Sequence, residues 1–172
     1  MKAQVFRGVN QLSYEEIPLP ELQPDEVLVQ VRVVGLCQSD IKKIRYPLYE
    51  PPRIFGHETA GTIAAVGAEV KNWQVGQRVA VMHHIPCMRC DYCLNDNFSM
   101  CDVYKNICTT AGFAPSGGGF AEYVKIPGHI VRNGGLIPIP DDVSFEVASF
   151  VEPTNCCLKA VKKAQIVPGQ TV

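Results

Sequence analysis

The sequence predicts a mainly β domain, a barrel or a sandwich, with helix confined to the late part of the chain. Three observations predict it. The stretch "EVLVQVRVVGL" (26–36) alternates, with Val27, Val29, Val31 and Val33 on one face and Gln30 and Arg32 on the other, the period of a half-buried strand. Further apolar, β-rich runs recur between glycines. Clusters of Gly and Pro punctuate them at "LPELQPDE", "YPLYEPPRIFG" and "NGGLIPIPDD". At 172 residues and 47% apolar content, the chain has the size of one ordinary domain and enough apolar material for a core.

Taken in order, "QVFR" (4–7) is a short strand and 26–36 is the alternating one. "TIAAVGAEV" (62–70) and "GQRVAVM" (76–82) are apolar strand candidates, and "GGFAEYVKI" (118–126) follows a Gly-rich turn. Ser144 is placed to cap a helix over "FEVAS". "NCCLKAVKKA" (155–164) reads as amphipathic, with Leu158 and Val161 apolar and Lys159, Lys162 and Lys163 mostly opposite.

Charge and hydropathy exclude several classes. The formal net charge is −1, from 16 basic and 17 acidic residues that are interspersed, so no basic stripe points to nucleic acid or an anionic membrane. No apolar stretch is long enough to span a bilayer, and the first residues lack the apolar core of a secretory signal. The expectation is a cytoplasmic protein in a reducing compartment, where clustered cysteines bind metal more often than they form disulfides.

Four of the eight cysteines fall in "PCMRCDYCLNDNFSMC" (86–101), with Cys87, Cys90, Cys93 and Cys101 spaced C-x2-C-x2-C-x7-C. Four thiolates saturate a tetrahedral Zn2+ and leave no open position, so the reading is a structural zinc over about 86–102. A nucleic-acid finger is disfavoured, because Asp91, Asp96 and Asp102 balance the few basic residues nearby. Disulfides and an iron–sulfur cluster are the remaining alternatives.

A second constellation is dispersed. Cys37 follows the alternating strand in "GLCQSD", His57 and Glu58 follow a Pro-rich loop in "FGHETAG", and Glu152 opens the late helical region in "FVEPTNCC". Cys, His and Glu are the ligand types of an open catalytic zinc. Singly, each has a plainer reading: a core cysteine, a buried hydrogen-bonded histidine, a solvated carboxylate.

Together they carry a resemblance. "GHETAGTIAAVGAEV" has Gly56, His57, Glu58, Gly61, Gly67 and Val70 in the register of the zinc-containing alcohol dehydrogenase signature. The order Cys37, Gly-His-Glu, four cysteines, "GGFAEY", Glu152-Pro153 spans nearly the whole chain. The sequence resembles the medium-chain, zinc-dependent alcohol dehydrogenases, and Glu152-Pro153 resembles the sorbitol and threonine dehydrogenase branch.

The resemblance implies a GroES-like, partly open β-barrel over 1–172 bearing two zinc sites. It implies Cys37 and His57 as catalytic-zinc ligands, with Glu58 and Glu152 both candidates for the remaining positions. Ser39 matches the hydroxyl that relays the substrate proton, and Asp40 matches the carboxylate that holds the zinc-binding histidine. A plainer reading of "SDIKK" is a helix capped by Ser39 or Asp40. Two departures stand out: Gln38 replaces a Gly or Arg, and Lys42 stands where many relatives carry a relay histidine, for which a charged lysine is a poor substitute. Cys108, Cys156 and Cys157 match no ligand position and are taken as structural.

The implied chemistry is reversible oxidation of an alcohol or polyol, with hydride passed to NAD or NADP. "AQIVPGQTV" resembles the approach to the first strand of a nucleotide-binding Rossmann half, yet no G-x-G-x-x-G is present in the 172 residues. The expectation is a catalytic domain without its nucleotide half, inactive alone, with homo-oligomerisation possible in principle. A non-catalytic zinc-binding scaffold derived from such an enzyme is the alternative.

Overall fold

The computed structural model describes residues 1–171. Among the described residues, seven strands form two sheets that do not close. β1 (Lys2–Gly8) and β2 (Gln11–Glu16) make an antiparallel hairpin. The larger sheet has the order β6-β3-β4-β5-β7, all antiparallel, from β3 (Val27–Gly35), β4 (Glu58–Val66), β5 (Arg78–Val81), β6 (Tyr123–Ile126) and β7 (Leu136–Pro138). The segment before β6 joins the sheets: Phe120 O accepts from Gln4 N on β1, and Glu122 O from Val31 N on β3.

The alternating strand is β3. Val27 and Val29 are buried with Ile63, Val79, Val81, Val124, Ile126, Ile130 and Leu136 in the main core. Each such side chain contributes about 1.5–3 kcal/mol on burial. Register shifts at Leu28/Val29 and Val31/Val33 bend β3 as it runs towards Cys37.

Helix is less confined than the sequence predicts. α1 (Gln38–Arg45) follows β3 directly. The four-cysteine loop folds into two short helices, α2 (Asp91–Leu94) and α3 (Asp102–Asn106), with a 3-10 turn at Phe98–Met100 between them. α4 (Gly128–Arg132) follows β6. The stretch "NGGLIPIPDD" is not purely a turn, because Leu136–Pro138 pairs with β5 as an edge strand that tolerates its proline.

α5 (Phe145–Ser149) forms where "FEVAS" predicts it, and the Ser144 side chain accepts from Val147 N as its cap. Ala148 packs with Ala60, Ala80 and Ile139, which seats α5 on the sheet. Arg78 ties the preceding loop down. Its guanidinium donates to the carbonyls of Pro140 (2.9 Å), Asp141 (3.3 Å) and Val143 (2.6 Å) and lies 4.5 Å from the Phe145 ring centroid. α6 (Val151–Ala164) begins four residues before the predicted "NCCLKAVKKA", so Glu152 sits in its first turn. Only its start packs on the core, through Val151; Leu158 and Val161 are exposed, as are Cys156 and Cys157. Cys156 and Cys157, taken as structural from the sequence, thus lie at the surface and not in a packed face.

Candidate metal and active site

The four-cysteine lobe brings its sulfurs together. The ligand atoms of Cys87, Cys90, Cys93 and Cys101 all lie within 4.8 Å of one another, and all four cysteines are free. The Cys90–Cys93 and Cys87–Cys93 sulfurs are 3.5 and 3.9 Å apart. A tetrahedral Zn2+ with bonds of about 2.3 Å needs sulfurs about 3.8 Å apart, so the arrangement fits that ion. Cys90 N donates to Cys87 Sγ (3.3 Å) and Cys87 N to Cys101 Sγ (3.4 Å). Burial opposes ionisation of Cys101, but the amides of Cys87 and Tyr104 outweigh it and bring the thiol down to about 6. Burial and the facing thiols push Cys93 up to about 12. Four crowded thiols do not ionise together without a cation, and a divalent ion reverses that.

The dispersed constellation also converges. Ligand atoms of Cys37, His57 and Glu58 lie within 4.8 Å of one another. They come from the N-terminus of α1 and the first turn into β4, two segments paired through Gly35 and Glu58 across the ladder. A side chain at Gly35 would collide with the Glu58 carboxylate, so the glycine leaves the room that Glu58 occupies. Gly56 holds φ +90 immediately before His57, a conformation open to glycine, with Phe120 packed where a Cβ would stand. A soft thiolate, an imidazole and a carboxylate with one further position match the donor set of an open zinc site.

Asp40 organises this site from below. Its Oδ1 lies 3.2 Å from His57 Nδ1 and accepts from Lys43 Nζ at 3.3 Å, and its Oδ2 accepts from Cys37 N at 3.3 Å. An ionised carboxylate only accepts, so Nδ1 carries the proton and Nε2 is left free. Burial raises Asp40, yet the His57 bond and charge and Lys43 outweigh it, so it stays below its usual range. Burial likewise lowers His57, but Asp40 more than offsets it and the imidazole is raised. The cap of α1 is Cys37 itself, whose sulfur accepts from Ser39 N, while Asp40 bonds back to the Cys37 backbone. The N-cap position is therefore Cys37 and not Ser39 or Asp40, which corrects the plainer reading of "SDIKK", and Asp40 serves the cap from inside the helix as the reciprocal half of a capping box.

Ser39 is exposed, and its hydroxyl donates to Cys37 Sγ at 3.3 Å, so it stands beside the cluster and open to solvent. Glu152 is not among the mutually close ligand atoms. It is near enough for its charge to raise His57, and its Oε1 accepts from Cys156 Sγ at 3.6 Å. Lys42 is exposed, and the lysine that reaches the site is Lys43.

Sequence reasoning missed His83, His84 and Tyr104. A run of mutually tilted rings leads from His57 to His83 (4.8 Å), His84 (3.7 Å) and Tyr104 (3.9 Å), between centroids. Burial keeps His83 well below its usual range and brings His84 down to about 4, so both are neutral. The signal was present in "MHHIPC": paired histidines just after β5 and before a cysteine ligand candidate. His83, His84, Tyr104 and Glu152 line a cavity of about 670 Å³ between the cysteine lobe and α6. Among the described residues no helix is long and apolar enough to cross a membrane.

Comparison with known proteins agrees with this geometry. Residues 23–141 match the family described as Alcohol dehydrogenase GroES-like domain. The chain is 35% identical to sorbitol dehydrogenase of Bacillus subtilis (strain 168) over 177 residues, covering 100% of this chain and 48% of the relative. It superposes on galactitol-1-phosphate dehydrogenase from Escherichia coli with a TM-score of 0.80 and 31% identity, covering 96% of this chain and 45% of that one. It also superposes on a protein described as a short chain alcohol dehydrogenase from Escherichia coli CFT073 complexed with NADH, with a TM-score of 0.82 and 31% identity, covering 99% of this chain and 48% of that one. The chain thus spans about half the length of the relatives it matches. On these grounds the chain belongs to the alcohol dehydrogenase GroES-like domain family, within the zinc-dependent medium-chain dehydrogenases.

Proposed function

We propose that residues 1–172 are the catalytic domain of a zinc-dependent, NAD- or NADP-linked dehydrogenase of alcohols or polyols. Cys37, His57 and one of the carboxylates, Glu58 or Glu152, hold a catalytic zinc, and Cys87, Cys90, Cys93 and Cys101 hold a structural one. The observation that carries the reading is the convergence of Cys37, His57 and Glu58 ligand atoms within 4.8 Å, with the free His57 nitrogen fixed by Asp40.

When bound, zinc supplies Lewis acidity that lowers the pKa of an alcohol placed against it. The chain's own residues do the rest. Asp40 keeps the proton on His57 Nδ1 and so presents Nε2 as a ligand. Ser39 accepts the alcohol proton at Oγ and, being exposed, hands its own proton to water. Lys43 shares Asp40 with His57 and lies over the Phe55 ring, 5.5 Å from its centroid, which makes it a positioning residue and not a shuttle. A bound nicotinamide would supply the hydride acceptor for the carbinol carbon, and no G-x-G-x-x-G within residues 1–172 would hold it.

Relatives named for sorbitol and galactitol 1-phosphate support a polyol substrate. A reducing, cytoplasmic setting suits eight free cysteines, two of them exposed on α6. Homo-oligomerisation belongs to the same reading.

Cobalt substitution tests it. Co2+ at the Cys37 site gives visible bands that respond to its ligands. Titration with a hexitol is expected to shift them in the wild type and to leave a Cys37→Ala protein unchanged. Bands insensitive to any secondary alcohol contradict the reading.

A further inference from the structure

Beyond Glu152, one side of the cavity beside the site is unused by that chemistry. Along α6 it is lined by Glu152, Asn155, Lys159, Lys162 and Lys163, with Tyr104 opposite. These helix positions follow i, i+3, i+7, i+10 and i+11, so they share one face. Lys159 stands seven residues beyond Glu152, a rise of about 10.5 Å along the axis. Lys162 and Lys163 lie one turn further.

The cations are not neutralised locally. None of the three lysines has an ion-pair partner within 4.0 Å among the described residues. The carboxylates that line the cavity are Glu152, at the metal end, and Asp96. Lys159 is half-buried. Lys162 and Lys163 stand three and four residues beyond Lys159, so like charges adjoin on the helix surface, and a bound anion offsets their repulsion. Lysine binds phosphate as a mobile point charge, and Tyr104 and Asn155 add neutral hydrogen-bonding groups on the way.

We propose that this cavity takes a polyol phosphate, with the carbinol at the Glu152–His83 end, where the His83 ring meets that of His57, and the phosphate monoester against Lys159, Lys162 and Lys163. The inference rests on the polyol reading above and narrows it from neutral polyols to their phosphorylated forms. The separation between Glu152 and the lysines suits an extended chain of a few carbons ending in phosphate. The nicotinamide cofactor is the other source of phosphate that the lysines could meet.

Calorimetric titration of the zinc-loaded chain separates these. The ligands are a hexitol 6-phosphate, the plain hexitol, inorganic phosphate and NAD+ or NADP+. The hexitol phosphate is expected to bind about tenfold or more tighter than either the hexitol or phosphate alone. In the Lys159→Ala, Lys162→Ala, Lys163→Ala protein the ratio of phosphorylated to plain hexitol affinity falls towards one. Lys71→Ala, outside the cavity, keeps the wild-type ratio. Zinc content and thermal midpoint, read on each protein, report that it is folded. Equal affinities for both hexitols, with two zincs bound, overturn the phosphate assignment and leave the polyol reading standing. Tight NAD+ or NADP+ binding lost in the triple variant, without a preference for the hexitol phosphate, assigns the lysines to the cofactor and overturns it too. Failure of the two-zinc chain to bind either hexitol removes both readings.

Discussion

Asp40 Oδ1 and His57 Nδ1 lie 3.2 Å apart with Asp40 fully buried and His57 6% exposed. The same carboxylate bonds back to Cys37 N at the start of α1. One side chain thus ties the helix start that carries Cys37 to the imidazole that faces it. Local capping and site geometry are a single device here.

That relationship gives a first prediction. Asp40→Asn keeps the shape but removes the charge that sets the His57 tautomer. Zinc affinity at the Cys37 site is expected to fall about 10–100-fold. The four-cysteine site keeps its zinc. A competitive chelator titration reads both, and unchanged affinity at the weaker site contradicts the role given to Asp40.

Much of this was legible in the sequence, for physical reasons that differ by element. β3 was readable because alternation is a local signal, and the lobe was readable because four cysteines at short spacing converge by chain connectivity alone. Cys37, His57 and Glu58 needed the family resemblance, since 19 residues of Pro-rich chain separate Cys37 from His57 and no periodicity announces their meeting. α1 was hidden because its cap is a cysteine, a residue rarely read as one. β7 was hidden behind two prolines, which an edge strand accepts. The His83–His84–Tyr104 run of rings depends on how the lobe folds back over the end of β5, and no local pattern encodes that.

Gly35→Ala tests the packing of Glu58. The added methyl meets the Glu58 carboxylate and Cβ, so the acid must move. A destabilisation of about 1–3 kcal/mol is expected from overpacking. The visible spectrum of the cobalt protein is expected to change at the Cys37 site and stay constant at the lobe. An unaltered spectrum shows that Glu58 does not depend on Gly35.

Arg78→Ala removes three carbonyl contacts and the stack on Phe145, which seat α5 and lead into Glu152. Urea unfolding is expected to give a loss of about 2–3 kcal/mol. Arg78→Lys restores only part, because an ammonium lacks the planar fork. Full stability in the lysine protein contradicts the account of the anchor.

His84 sets a pH dependence. Burial holds its folded value at about 4, against an ordinary value of 6.5, so the unfolded chain binds more protons between those limits. Its contribution to stability is complete above 6.5 and is lost as pH falls towards 4, by up to about 1.4 kcal/mol per pH unit. His57 works in the opposite sense, since its raised value adds stability at low pH that disappears as pH rises through it. In metal-free protein, His84→Asn is expected to flatten the acid-side fall in thermal midpoint. Parallel curves for wild type and variant contradict the burial effect.

The central claim is that two separate zinc sites exist on this chain, one closed and one open. Metal analysis of purified protein, by mass spectrometry under native conditions, tests it most directly. The account predicts two zincs in the wild type, one in Cys37→Ser with the lobe intact, and one in Cys90→Ser with the lobe destabilised. A single zinc in the wild type, lost on replacing Cys90 and indifferent to Cys37, contradicts it and leaves a scaffold without a catalytic metal.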